Sequence, residues 1–112
     1  MVRRESVERS ENRCGGRGVV TVHKLLDEAA LNGHGRGVTW MELPPGASVG
    51  LRRHEGASEQ FCVLEGSGVF LDGGERVPIC AGEIGLMRPG GSHGIENTGS
   101  QPMKVLAVHT YE

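Results

Sequence analysis

Glycine is the residue that most constrains what this chain can fold into. The 112 residues include 19 glycines and five prolines, whereas glycine makes up about 7% of an average protein. No collagen period or low-complexity tract accounts for the glycines, so we expect them at turns between short strands. About nine short β-forming runs alternate with Gly- and Pro-containing turns, from Val19–Leu25 to Met103–Thr110. This pattern predicts an all-β sandwich or barrel.

Length and charge narrow the classes of function. The length fits one domain. Residues 1–18 are predicted to form an N-terminal arm and hinge, of which the first 13 are either a disordered tail or an arm that lies on a partner; residues 19–112 form the barrel. Lys and Arg number 12 against 14 Asp and Glu, a balance that gives no overall attraction to nucleic acid or to an anionic membrane.

The compartment follows from the termini and the cysteines. No run approaches the ~20 apolar residues that span a bilayer, and the first residues lack the apolar core of a secretion signal. Cys14, Cys62 and Cys80 form no C-x-x-C pair, and their odd number argues against a disulfide framework. We therefore expect reduced thiols in a cytoplasmic protein that binds neither nucleic acid nor a membrane.

The middle of the chain carries a pair of side chains suited to metal binding. If Val49–His54 forms a strand, alternation places Arg52 and His54 on one face. After a short turn, the next strand presents Glu59 and Phe61 on its corresponding face. Such a hairpin brings an imidazole, a carboxylate and a guanidinium together, and nitrogen and oxygen donors of this kind suit a divalent metal. The alternative, that His54 and Glu59 are ordinary polar residues flanking a turn, stays open on this stretch alone.

A second segment supplies a third candidate ligand. His93 follows Pro89 by four residues and precedes Asn97 by four. Together the two segments resemble the cupin superfamily, whose motifs are G-x5-H-x-H-x(3,4)-E-x6-G and G-x5-P-x-G-x2-H-x3-N. The resemblance covers residues 38–110. The first motif is matched at Gly46, His54, Glu59 and Gly66, with Arg52 at the first histidine; the second is matched at Gly82, Gly90, His93 and Asn97, with Arg88 at the proline.

The resemblance to cupins implies a fold, a site and an assembly. The fold is a double-stranded β-helix, or jelly-roll, barrel similar to the single-domain cupins of bacteria, many of which form homodimers by exchanging N-terminal strands. The site is a divalent metal ion (iron, manganese, nickel or zinc) held by His54, Glu59 and His93, with Asn97 in a structural role near the barrel mouth. Similar cupins act on small organic molecules as dioxygenases, isomerases, decarboxylases or lyases.

Arg52 leaves two outcomes open, because a guanidinium keeps its proton and offers no lone pair to a metal. In the first, His54, Glu59 and His93 still hold an ion, and Arg52 pairs with a carboxylate or phosphate of the substrate. In the second, Arg52 pairs with Glu59 and replaces the ion, which leaves a metal-free module for a sugar or an acid, or a purely structural barrel. Unit charges ~4 Å apart interact by ~4 kcal/mol at an effective dielectric of 20, so Arg52 opposes a bound cation.

The expected ligand is a small, anionic organic molecule. Arg52 and Phe61 are candidates to contact it from the predicted hairpin. Arg88, in a loop at the mouth, is a third candidate, although a solvated loop charge is the favoured interpretation of this residue. The sequence leaves open whether His109 lines the cavity or faces solvent, and it names neither the substrate nor a reaction.

Overall fold

The computed structural model of the protein describes all 112 residues, as ten strands and one 3-10 turn. That turn, Arg13–Gly15, is the only helical element, and no helix of the chain has the length or the apolarity to cross a membrane. The strands are β1 (Ser6–Glu11), β2 (Val19–Asp27), β3 (Gly37–Leu43), β4 (Ser48–Arg53), β5 (Ala57–Glu65), β6 (Ser67–Asp72), β7 (Glu75–Cys80), β8 (Ile84–Met87), β9 (Ser92–Glu96) and β10 (Met103–Tyr111).

The strands form two antiparallel sheets. The six-stranded sheet has the order β1-β2-β3-β10-β5-β8, and the four-stranded sheet has the order β4-β9-β6-β7. Neighbours such as β3 and β10 are distant in sequence, because the chain crosses repeatedly between the sheets. This is the all-β jelly-roll barrel that the sequence predicted.

The core fills one end of the barrel and leaves the other end polar. Fifteen buried hydrophobic residues form one cluster between the sheets, and burying each large aliphatic side chain is worth about 1.5–3 kcal/mol. Every second residue along each strand points inward. These inward residues are apolar over most of the barrel and become polar or charged towards one end. On β5 the apolar Phe61 and Val63 follow Glu59, and on β10 Val105 and Ala107 precede His109, all of them buried. The polar ends of these strands therefore lie together, above the apolar core.

Residues 1–13, expected as a tail or an arm, include a strand of the barrel itself. β1 pairs with β2 from Ser6↔Lys24 to Glu11↔Val19 and forms an outer edge of the six-stranded sheet. Its sequence, Ser-Val-Glu-Arg-Ser-Glu, contains a single apolar residue and shows no apolar alternation. Backbone pairing with β2, rather than burial of side chains, holds this strand.

The glycines that match the two motifs occupy turns that other residues would strain. Gly46, Gly66, Gly82 and Gly90 all have a positive φ, between 84° and 91°. Side chains of L-residues disfavour this region because the Cβ atom clashes with the backbone, whereas glycine enters it freely. These residues therefore fix where the strands of the barrel reverse.

Asn97 has a structural role, but at the opposite end of the barrel from its expected place near the mouth. The side chain is 1% exposed. Its amide N–H groups donate to the carbonyl oxygens of Leu43 (2.8 Å) and Gln101 (2.9 Å), and its oxygen accepts from the N–H of Gly99 (2.9 Å). Leu43 ends β3 at the apolar end of the barrel, so these bonds close that end.

Candidate functional site

A cavity of about 630 Å³ opens at the polar end of the barrel. Only two of its 15 lining residues are hydrophobic, whereas six are basic and three are acidic. Small-molecule sites commonly occupy ≈ 300–1,000 Å³, and this excess of basic groups favours an anionic occupant. The basic residues are Arg3, Arg4, Arg13, Lys24, Arg36 and Arg52, and the acidic residues are Glu8, Asp27 and Glu59.

Arg52, His54 and Glu59 meet at one carboxylate oxygen on the inner wall. The Arg52 guanidinium donates from Nη2 to Glu59 Oε1. His54 Nε2 lies 2.9 Å from the same oxygen and donates to it. Alternation along β4 and β5 places these side chains on inward faces, as predicted, but the predicted hairpin is wrong. β4 pairs with β9, and β5 pairs with β10 and β8, so the two strands lie in different sheets and the side chains meet across the interior of the barrel.

The Arg52–Glu59 ion pair is mostly shielded from solvent. The Arg52 side chain is 27% exposed and that of Glu59 is 7% exposed. Burial by itself lowers the pKa of Arg52, but the charge and hydrogen bond of Glu59, together with Cys14, outweigh burial, so the pKa of this guanidinium is raised. Arg52 therefore keeps its charge. Its Nη1 donates weakly to Cys14 Sγ (4.0 Å), and the residue lines the cavity, where its guanidinium can also donate to a second anion.

His93, the third predicted ligand, does not join this group. Its Nε2 lies 3.3 Å from Asp72 Oδ1, and its ring packs against Phe70 with centroids 5.8 Å apart. The Nδ1 atoms of His54 and His93 are both buried without a partner in the protein. His93 is therefore buried like His54 but directed to a different neighbour.

This arrangement does not fit a metal ion held by His54, Glu59 and His93. No three His, Cys, Asp or Glu side chains come together in a group that could hold an ion. The Arg52 guanidinium also occupies the oxygen that Glu59 would offer, and a cation placed beside it is repelled. To bind an ion, the protein would have to turn both Arg52 and His93 away from their present partners.

His109 lines the cavity, which settles the question that the sequence left open. It pairs with Glu59 across β10 and β5 and is 3% exposed. Burial, and then the charge of Arg36, lowers the pKa of His109, so the ring is neutral at pH 7. The backbone N–H of Arg36 donates to Nδ1 (3.0 Å), so the ring proton lies on Nε2, which is buried without a partner. His109 thus lines the cavity and carries a buried donor that has no partner within the protein.

Two further candidates lie outside the cavity. Phe61 is 2% exposed and belongs to the apolar core. Arg88 is exposed on the turn that follows β8, and neither residue lines the cavity. A role for Phe61 or Arg88 in ligand binding stays a prediction from the sequence.

Sequence reasoning missed much of the basic lining. Arg3 and Arg4 come from the N-terminus, and Arg36 comes from the turn before β3. None of the three forms an ion pair with a carboxylate of the chain. No motif or spacing marks these residues, because only the tertiary fold brings them to the same cavity.

Comparison with known proteins identifies the family. The family model described as Cupin domain matches residues 39–109, which is more than half of the chain. The chain therefore belongs to the cupin domain family. The resemblance seen in the two sequence motifs is confirmed, together with the barrel fold that it implied.

Individual relatives place the chain within that family. It is 46% identical over 101 residues to the oxalate-binding protein of Thermotoga maritima, covering 90% of this chain and 84% of the relative. A crystal structure from Thermotoga maritima, described as a predicted oxalate decarboxylase, superposes with a TM-score of 0.96 at 43% identity and full coverage of both chains. A polyketide cyclase from Streptomyces resistomycificus superposes with a TM-score of 0.76 at 25% identity, covering 100% of this chain and 81% of the other.

Proposed function

We propose that this protein binds a small dicarboxylate in the polar end of its barrel, with oxalate as the first candidate. The observation that carries the proposal is the basic lining of the cavity, in which Arg3, Arg4 and Arg36 lack a carboxylate partner. Unpaired guanidinium groups around one cavity favour an anion, and a planar carboxylate can accept two parallel N–H bonds from such a group.

The chemistry of the inner wall supports a ligand with two acceptor groups. Arg52 offers charged donors, and His109 Nε2–H is a neutral donor without a partner. Buried donors are normally satisfied, so a ligand oxygen near His109 would replace a missing bond. Support for oxalate in particular comes from the 46% identical relative named oxalate-binding protein.

The proposed binding does not use a metal ion. Arg52 already balances the charge of Glu59, and a second anion can be held by Arg52 and its basic neighbours directly. Glu59 and His54 then act as positioning residues: the Glu59 carboxylate orients the guanidinium, and His54 donates to the same carboxylate oxygen.

Calorimetric titration with oxalate tests the proposal, on protein first passed over a chelating resin. We expect wild type to bind oxalate and malonate. Arg52→Gln should weaken oxalate binding by at least about tenfold, the loss expected for one charge-assisted hydrogen bond. Arg9→Gln removes the same charge from an exposed residue outside the cavity, and should change the affinity by no more than about twofold.

The other outcomes identify other functions. No oxalate or malonate binding by wild type, with or without added divalent metal, overturns the proposal. Binding that appears only after manganese or zinc is added overturns its metal-free part and favours the site of His54, Glu59 and His93. Release of formate and carbon dioxide from bound oxalate would identify a decarboxylase instead of a binding module.

A further inference from the structure

A second cluster of charged and aromatic side chains lies on the outer face of the six-stranded sheet. His23 of β2 and Trp40 of β3 are cross-strand partners, and their rings stack with centroids 3.6 Å apart and an interplanar angle of 6°. Glu5, which directly precedes β1, reaches both of them. Its carboxylate accepts from His23 Nδ1 (3.0 Å) and from Trp40 Nε1 (3.2 Å).

The cluster is built to hold a carboxylate. His23 Nε2 lies 2.8 Å from Glu42, so both ring nitrogens of His23 face acidic oxygens. Burial lowers the pKa of His23, but the hydrogen bonds to Glu42 and Glu5 outweigh it and the pKa is raised. The hydrogen bond from His23, followed by that from Trp40, lowers the pKa of Glu5. The contact is therefore one between an imidazolium and a carboxylate, reinforced by an indole N–H.

Besides Glu5 and Glu42, two basic residues share the outer face with His23. Lys104 places its Nζ 5.6 Å from the centre of the Trp40 ring, and Arg9 follows Val7 by two residues on β1, opposite Thr21. The other residues that pair with this cluster across the sheet are Val7, opposite His23, and Leu106, opposite Trp40; neither carries charge.

The position of Glu5 determines where its neighbours lie. Arg3 and Arg4 precede it directly, and both line the cavity together with Ser6 and Glu8 of β1. Side chains alternate along an extended chain, so Glu5 on the outer face directs Arg4 towards the cavity. Arg3 has the parity of Glu5, but it lies outside β1 and also lines the cavity. Glu5 thus anchors the short segment that carries both arginines.

We infer that the leading segment (residues 1–5) belongs to the anion site: Arg3 and Arg4 contact the bound dicarboxylate, and Glu5, His23 and Trp40 position them. The inference rests on the proposed function, because it assigns further contacts to the same ligand. Neither arginine has a carboxylate partner within the chain, so both are free to bind an anion.

Oxalate affinity of four variants tests the inference. The double variant Arg3→Gln/Arg4→Gln should bind oxalate about tenfold more weakly than wild type. Glu5→Gln should weaken binding less, by about threefold to fivefold, because it loosens the segment without removing a ligand contact. Adding Glu5→Gln to the double variant should cost nothing further, since Glu5 acts through the two arginines. Arg9→Gln serves again as the control for charge.

Trp40 gives an independent readout, because it is the only tryptophan of the chain. Its emission should follow the protonation of the stacked His23 ring as pH is varied. Glu5→Gln removes a carboxylate that raises the pKa of His23, so the midpoint of that transition should move to lower pH. A purely structural defect elsewhere would not move it in this direction.

The outcomes separate this inference from the proposed function. If wild type binds oxalate and the Arg3→Gln/Arg4→Gln variant binds it equally well, the inference is wrong and the proposed function stands. If Glu5→Gln weakens binding equally with and without the two arginines, or leaves the Trp40 transition in place, Glu5 is not their anchor. If wild type binds no dicarboxylate, the proposed function fails and the ligand contacts of Arg3 and Arg4 fail with it.

Discussion

At the scale of single residues, Arg52 decides what Glu59 can bind. A carboxylate that is 7% exposed needs a positive partner, because burial of an unpaired charge is costly. In a metal site the cation supplies that charge; here the guanidinium does. Since Arg52 cannot give up its proton under ordinary conditions, the choice between the two kinds of site depends on one side chain.

Arg52→His should convert the proposed anion site towards a metal site. The substitution removes the competing positive charge from Glu59 and adds a nitrogen ligand beside His54, while His93 can contribute by turning away from Asp72. We expect zinc or manganese affinity to rise by at least about tenfold over wild type, since each added ligand strengthens a site that prefers about four. Metal content after reconstitution and dialysis, measured by mass spectrometry, reports the change.

Arg53→His is the matched control for that experiment. Arg53 is the next residue, but its side chain is 61% exposed and pairs with Glu55, so a histidine there adds a surface imidazole. Equal metal affinity in Arg52→His and Arg53→His would show that position 52 is not a ligand position, and that the strand register inferred for β4 is wrong.

Alternation of side chains along two consecutive strands was enough to predict that Arg52 and Glu59 face inward. How they meet was not predictable from the hairpin that the sequence suggested, because β4 and β5 belong to different sheets and the two side chains meet across the interior of the barrel. His109 shares the parity of Val105 and Ala107, but its place opposite Glu59 follows from the pairing of β10 with β5, which are far apart in sequence. The contribution of Arg3, Arg4 and Arg36 depends on long-range packing alone.

At the scale of strands and turns, Asn97 holds together segments from three parts of the chain. It lies in the connection between β9 and β10, and its buried amide donates to the carbonyl groups of Leu43 and Gln101. A single amide thereby ties the end of β3 to the loop that precedes β10.

Asn97→Ala should lower the free energy of unfolding by about 2–4 kcal/mol, because it leaves buried groups without their hydrogen bonds. Urea denaturation measures the loss as a shift of the midpoint with an unchanged slope. Thr98→Ala is the neighbouring control: Thr98 is exposed, and its replacement should cost no more than about 0.5 kcal/mol. A loss below about 1 kcal/mol for Asn97→Ala would mean that water replaces its hydrogen bonds.

Strands β2 to β10 were predictable because each carries apolar or β-branched residues between glycine- or proline-rich turns. β1 lacks both signals. Its residues are nearly all exposed on both faces, and backbone hydrogen bonds to the edge strand β2 stabilise it. Such pairing produces no alternation of apolar residues in the sequence, so this strand can be recognised only from the structure.

At the scale of the whole molecule, basic residues are concentrated at the cavity, although the total charge is close to neutral. The chain carries a formal net charge of −2 at pH 7, yet its cavity is lined by six basic and three acidic residues. A cavity lined mainly by charges of one sign, with low-dielectric walls, concentrates the electric field and attracts small ions of the opposite charge. A dianion should therefore be drawn to the polar end of the barrel although the protein as a whole is weakly negative.

This separation predicts a salt dependence that the binding of a neutral sugar would not show. Between about 10 mM and 150 mM salt the Debye length falls from about 30 Å to about 8 Å, which screens Arg3, Arg4 and Arg36 from an approaching dianion. We expect oxalate affinity to fall by roughly fivefold to tenfold over that range, as measured by calorimetry in potassium chloride. Arg3→Gln/Arg4→Gln should flatten the dependence because two of the screened charges are gone, whereas Arg9→Gln should leave it unchanged. Oxalate affinity that does not vary with salt would mean that Arg52 and His109 recognise the ligand through shielded hydrogen bonds, and that the basic rim serves another purpose.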